Sequence, residues 1–240
     1  MTPVISKLTV GQTDLLATKM LQHCGRAGVV SPAPTVSWPE FHRLRARLYE
    51  TFDVPDTTLT PLAARVLYGL AMLRRPMNVA VLGCYVGNLM AWVTAPGFGP
   101  DGGYEGRRAI GVDVDGAAVA TAQGNFHRAG YSSGLRVRHG DAFDADSFAA
   151  DGPWDLLLVD IDVPGARKSG YARLVQRWAP YLAPGALVVA HDVAHPVFAW
   201  DLRLFGDFMR GNGARLSVTL PVDECGLEVS VWGGEPGDTP

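Results

Sequence analysis

The chain has 240 residues, 48% of them hydrophobic and 19% charged, with a formal net charge of −3. That length suits one domain carrying a helical cap, and a chain of this size buries roughly 70% of its unfolded surface. The slightly acidic balance excludes an electrostatic draw toward nucleic acid, and without an apolar run of about 18 residues a membrane-spanning helix is excluded as well.

In chain order, the N-terminus MTPVISKLTV lacks the charged-then-apolar layout of a signal peptide. Cys24, Cys84 and Cys225 are odd in number and far apart, which points to reduced thiols and a cytoplasmic setting. Residues 1–57 read as a helical cap without strands. Leu15, Leu16 and Met20 recur at helical spacing. Ser37-Trp38-Pro39-Glu40 reads as a capping box, and Phe41, Leu44, Leu48 and Phe52 follow on one helical face. The cap is expected to serve as core or as dimer contact, with a lid over the active site as the alternative. Arg43, Arg45 and Arg47 read as a solvated helix face.

Thr60-Pro61 starts another helix, with Leu62, Val66, Leu70 and Leu73 at helical spacing. From Asn78 the pattern alternates. Strands are predicted at 78–82, 109–113, 134–138, 155–160 and 186–190. Helices are predicted at 88–94, 116–128, 144–150 and 170–182, with Asp115 capping the second and Gly130 ending it. Pro184-Gly185 is expected to close the last of them. A loop spans 96–108. This alternation calls for a mostly parallel sheet with helices on both faces. After a helix near 197–210, RLSVTLP and LEVSVW read as a C-terminal hairpin that adds an antiparallel edge. The α/β domain thus runs over 58–232, and the tail 233–240 is expected to be disordered.

The most informative stretch is NVAVLGCYVGN, residues 78–88. A buried strand ends there in a G-x-x-x-G turn formed by Gly83 and Gly87, where the backbone can come close to a ligand. Asp113 ends the second strand, Asp141 follows the third and Asp160 ends the fourth. In open parallel sheets the ligand crevice lies at that edge. Asp113 is expected to accept both hydroxyls of a ribose. Asp141 reads equally as an acceptor from an adenine amine or as a turn former. A nicotinamide fingerprint has three glycines and an acid about 20 residues on. Here there are two glycines, and Asp113 lies thirty residues past Gly83. Cys84 has no base to activate it.

Five segments in order, VAVLGCYVGNL, IGVDVDGAAVATAQGNFHRAG, HGDAFD, PWDLLLVDID and LAPGALVVAHD, resemble those of class I S-adenosylmethionine-dependent methyltransferases. The likeness is to the small-molecule O-methyltransferases of the catechol and caffeoyl-CoA type, and it covers about residues 56–232. It implies a Rossmann-like seven-stranded, mostly parallel sheet with a reversed last hairpin. It also implies S-adenosylmethionine as cofactor, a small-molecule acceptor of secondary metabolism and a homodimer. By resemblance, Gly83 and Gly87 lie at the methionine end, Asp113 and Val114 at the ribose, and Asp141 and Ala142 at the adenine. The family's acid two residues before the first glycine is Val81 here, and its hydroxyl residue after the second is Leu89. Tyr85, Asn88, Thr57, Thr58 and Thr60 are the candidates to replace them.

The metal-dependent members bind a divalent cation through an Asp after the fourth strand and an Asp-Asn pair after the fifth. The corresponding residues here are Asp160, His191 and Asp192, a set that could hold Mg²⁺ or a softer cation. A metal-free His191 acting as general base is the alternative, and a structural role is a third. The family lysine that follows the D-x-D is Val163 here. Arg167 and Lys168, on the same loop, read as solvated charges or as its substitute. His195 and Trp200 are candidate substrate contacts or packing residues, and His127 and His139 read as surface. Transfer of an aminocarboxypropyl group or cyclisation of the same cofactor, a nicotinamide oxidoreductase, and a non-catalytic binding subunit stand as the rival functions.

Overall fold

A computed structural model describes residues 8–33, 35–55 and 59–233. Three helices come first: α1 (Val10–Arg26), α2 (Trp38–Thr51) and α3 (Pro61–Arg74). The alternating part follows as β1 (Asn78–Leu82), α4 (Asn88–Phe98), β2 (Arg108–Asp113), α5 (Gly116–Ala129) and β3 (Leu135–His139). Then come β4 (Trp154–Val159), α6 (Tyr171–Trp178), β5 (Leu182–His191), α7 (Arg203–Phe208), β6 (Ala214–Leu220) and β7 (Leu227–Trp232).

The strands form one seven-stranded sheet in the order β3-β2-β1-β4-β5-β7-β6. The pairs among β1 to β5 are parallel, and β7 runs antiparallel to both β5 and β6. The hairpin therefore folds back so that its second strand, not its first, joins the parallel sheet. Alternate side chains of each strand enter opposite cores. Val79, Val81, Leu156, Leu158 and Val189 pack with α1 to α5. Ala80, Leu82, Leu157, Val159 and Ala190 pack with α6 and α7. Strands buried on both faces are the reason the sequence shows continuous apolar runs rather than alternation.

Several boundaries differ from the reading of the sequence. The helix expected at 88–94 runs on to Phe98 with Pro96 inside it. The fully buried packing of its last turn holds it against the proline. The predicted helix 170–182 is α6 followed by a short 3₁₀ turn, and β5 already begins at Leu182. Pro184-Gly185 lies inside that strand, not between helix and strand. A register shift between Trp154 and Leu156 of β4 absorbs the extra residues. The helix expected near 144–150 is 3₁₀.

The cap belongs to the core. Phe41, Leu44 and Leu48 of α2 are buried in the same cluster as α3 and α4. Ser37 precedes α2 as expected but its side chain makes no capping bond, so the capping box does not form. On α1 the inward face is Thr13, Ala17, Leu21 and Cys24, whereas Leu15 is exposed. The side chain of Leu21 lies on Gly69 of α3, where a Cβ would come within 2.4 Å of it. That contact, invisible to periodicity alone, sets the rotation of α1. Asp115 caps α5 through the N–H groups of Ala117 and Ala118, and Gly130 ends it in the left-handed region, both as expected. Arg43 is exposed and Arg47 pairs with Asp101 at 3.0 Å, but Arg45 is half-buried, lies over Tyr49 and lines a cavity, so the three do not form one solvated face. Residues 234–240 of the expected tail lie outside the described residues.

Candidate active site

The glycine turn after β1 carries positive φ angles at Gly83 (+80°), Tyr85 (+46°) and Gly87 (+89°). A Cβ on Gly83 would stand 2.0 Å from the carbonyl oxygen of Asp160, and one on Gly87 2.7 Å from the Phe126 ring. Packing within the protein therefore demands both glycines: the turn is pressed against the end of β4 on one side and α5 on the other. Val81 and Leu89, which stand where the resemblance expects an acid and a hydroxyl, are both buried in the apolar core.

Asp113 sits at the carboxyl end of β2 beside this turn. Its carboxylate accepts from the Tyr85 N–H at 2.7 Å and the Asp115 N–H at 3.0 Å. A carboxylate has about four acceptor sites, so about two stay available. Tyr85 (50% exposed) and Val114 (64%) flank it as accessible apolar surface. Asp141 accepts from the Phe143 N–H at 2.9 Å, the turn-forming bond. The neighbouring Ala142 is buried, and its carbonyl accepts from the Trp178 indole at 2.8 Å. Asn88 opens α4 and lines a cavity of about 310 Å³ with Phe41, Tyr49, Phe52, Arg65 and Trp92, so the cap forms one wall of it. Thr60 caps α3 and donates to Asp223 at 3.0 Å in the β6–β7 turn. Thr57 and Thr58 lie outside the described residues.

Asp160, His191 and Asp192 gather at the ends of β4 and β5, and a fourth group joins them. Val163 and Arg167 bond to each other across a turn with Gly165 at φ +74°. The loop therefore doubles back and returns Lys168 to the end of β4. Lys168 is 5% exposed, not a solvated charge. Its ammonium lies 2.8 Å from Asp160 Oδ1 and 2.8 Å from Asp192 Oδ2. The rings of Tyr171 and Phe198 stand 5.6 Å from the same nitrogen. Arg167 pairs with Asp201 at 2.9 Å and lies over Phe198, tying this loop to the one after β5. His195 accepts from the Val197 N–H within that second loop, and Trp200 is 73% exposed at its rim. His127 and His139 are exposed.

His191 Nδ1 lies 3.3 Å from Asp160 Oδ2 and 3.5 Å from Asp192 Oδ1. Neither ring nitrogen meets hydrogen-bond geometry with a protein group among the described residues. Burial works to lower the pKa of His191, but Asp160, Asp192 and Asp223 outweigh it and raise the value above 6.5. Burial likewise works to raise Asp160, yet His191 and Lys168 bring it down to about 2. Lys168 loses to burial and gains more from its two carboxylates, so it is held as an ammonium ion. The Cys84 thiol is buried and its pKa is pushed up, chiefly by burial, which agrees with an inert side chain.

These side chains do not fit a divalent cation. Among the described residues, the one set of three ligand atoms all within 4.8 Å of one another comes from His191, Asp192 and Cys225, so Asp160 does not complete the expected set with His191 and Asp192. The seat between Asp160 and Asp192 holds the ammonium. A cation placed about 4 Å from it would meet repulsion of about 4 kcal/mol for each pair of unit charges.

The described architecture has counterparts among known proteins. The family described as "Methyltransferase domain" matches residues 81–193. The chain is 31% identical over 144 residues to a catechol O-methyltransferase of Niastella koreensis and 31% identical over 129 residues to one of Mycobacterium tuberculosis. These matches take in 58% and 53% of this chain, and span only 60% and 52% of those two proteins. Over residues 81–193 the chain is similar to the methyltransferase-domain family. The O-methyltransferase TomG from Streptomyces achromogenes, solved in complex with SAM, superposes with a TM-score of 0.61. At 20% identity over 84% of this chain and 92% of that one, the likeness is one of fold. The glycine turn and Asp113 stand at the strand ends, and Asp160, Lys168, His191 and Asp192 stand beside them.

Proposed function

We propose that this chain transfers the methyl group of S-adenosylmethionine to a hydroxyl of a small molecule. One juxtaposition supports this reading above the rest. A Cβ on Gly83 would stand 2.0 Å from the Asp160 carbonyl oxygen, so the glycine turn and the charged cluster at β4 and β5 are direct neighbours. Asp113 grips the ribose on one side. On the other side His191 stands beside Asp160 and Asp192.

The sulfonium makes the methyl group an electrophile. The protein must align oxygen, methyl and sulfur and accept the hydroxyl proton. His191 is the base in this reading. Both ring nitrogens are buried, and Asp160 and Asp192, 3.3 and 3.5 Å from Nδ1, stabilise the protonated form. A phenol with a pKa near 10 is only about 0.1% ionised at pH 7, so a base placed at the oxygen contributes directly.

A second reading has its own observation. Val81 and Leu89 leave the methionine end without the family's acid and hydroxyl, which leaves room for aminocarboxypropyl transfer or cyclisation of the same cofactor. Incubation with S-adenosylmethionine and phenolic acceptors, followed by mass spectrometry of the nucleoside product, decides. S-adenosylhomocysteine together with a methylated acceptor supports methyl transfer, and methylthioadenosine overturns it. The same proposal takes the acceptor to be a secondary metabolite and the enzyme to work as a cytoplasmic homodimer. The three unpaired cysteines agree with a reducing compartment.

A further inference from the structure

We propose that the Lys168 ammonium is the resident cation of this active site, so that methyl transfer here needs no divalent metal and the acceptor presents one oxygen rather than a chelating pair. The second half rests on the methyl-transfer reading, and the first half does not. Lys168 Nζ lies 2.8 Å from a carboxylate oxygen at the end of β4 and 2.8 Å from another just past the end of β5. The other oxygen of each acid faces His191 Nδ1, at 3.3 and 3.5 Å, so a divalent ion binding both acids would lie close beside the ammonium and be repelled by it. The ammonium is not a stray surface group. It is 5% exposed, walled by the Tyr171 and Phe198 rings, and delivered by a turn closed on itself between Val163 and Arg167.

The chemistry of the two cations then separates two kinds of acceptor. A metal held by two or three protein ligands keeps several open positions and can take two neighbouring oxygens of one substrate. An ammonium has three N–H donors. Two of them are committed to Asp160 and Asp192, leaving one. A vicinal diol therefore gains nothing here over a single hydroxyl, and charge balance at the reacting oxygen comes from a group the chain itself supplies.

Titration of the intact wild-type protein with Mn²⁺, followed by calorimetry and thermal unfolding, tests the first half without any substrate. No binding up to millimolar Mn²⁺ and an unchanged midpoint are expected, whereas Lys168→Ala, which bares the two carboxylates, binds Mn²⁺ and is stabilised by it. If Lys168→Ala does not fold, the wild-type titration still decides, and Lys168→Met combined with Asp192→Asn removes the charge repulsion. Wild-type protein that binds Mn²⁺, or methyl transfer that EDTA abolishes and metal restores, overturns the proposal. For the second half, a monohydroxylated aromatic and its vicinal diol should be methylated with similar kcat/KM, and Lys168→Met should lower both by about a hundredfold. Strict preference for the diol overturns it. Binding of S-adenosylhomocysteine, measured alongside, reports separately on the methyltransferase reading.

Discussion

Gly83 shows how a single residue couples the two halves of the site. The turn brings the end of β1 so close to β4 that the Asp160 carbonyl fills the space of a Cβ, and φ is +80° besides. Gly83→Ala adds a left-handed strain of about 1–3 kcal/mol and must also displace backbone. The expected result is a lower unfolding midpoint together with weaker nucleoside binding. A variant that melts like wild type would show that the turn is not pressed against β4. Lys168 shows the opposite case, a residue whose role its neighbours in sequence conceal. By resemblance the position for a lysine is Val163, and the next cations, Arg167 and Lys168, come only after Pro164-Gly165-Ala166, which reads as an exposed loop. The signal was present in Gly165, whose positive φ lets the loop reverse. Reversal of a loop is a three-dimensional fact, and periodicity does not report it.

The elements themselves were legible where burial alone decides. The strands of the parallel sheet appear as apolar runs because both faces are covered, and the acids are read directly at their carboxyl ends, the edge where open parallel sheets place the ligand crevice. Helix α1 was legible as a helix but not in its rotation, which depends on the contact of Leu21 with Gly69. Nor did the sequence reveal what joins the cap to the domain. Arg65 of α3, 1% exposed, lies 2.5 Å from Asp14 of α1, and His42 of α2 lies 2.9 Å from the same carboxylate. One acid thus fastens three helices. Asp14→Asn leaves the buried guanidinium without its counter-charge and is expected to cost about 3–5 kcal/mol. Chemical denaturation checks this. A loss below about 1 kcal/mol, the scale of a surface pair, would mean that the cap is held by apolar packing alone.

At the scale of the whole molecule, stability and binding both run through the carboxylates. Asp160 has a folded-state pKa of about 2 against an ordinary 3.8, and Asp14 is lowered as well by Arg65 and His42 against the effect of burial. A depressed carboxylate contributes stability above its unfolded value and loses it as pH falls through the folded one. Asp160 alone accounts for about 2 kcal/mol, lost between about pH 4 and pH 2. Urea unfolding across that window should show a falling midpoint, and a flat profile would mean that Asp160 is not paired with Lys168 and His191. The deeper claim concerns the ligand. Calorimetric titration with S-adenosylhomocysteine should give one site per wild-type chain. Asp113→Ala should weaken it by at least about tenfold, the loss of a hydrogen bond to a charged acceptor, while the unfolding midpoint stays close to that of wild type. Wild-type protein that takes up no S-adenosylhomocysteine, or an Asp113→Ala variant that binds it equally well, would contradict the assignment of this crevice.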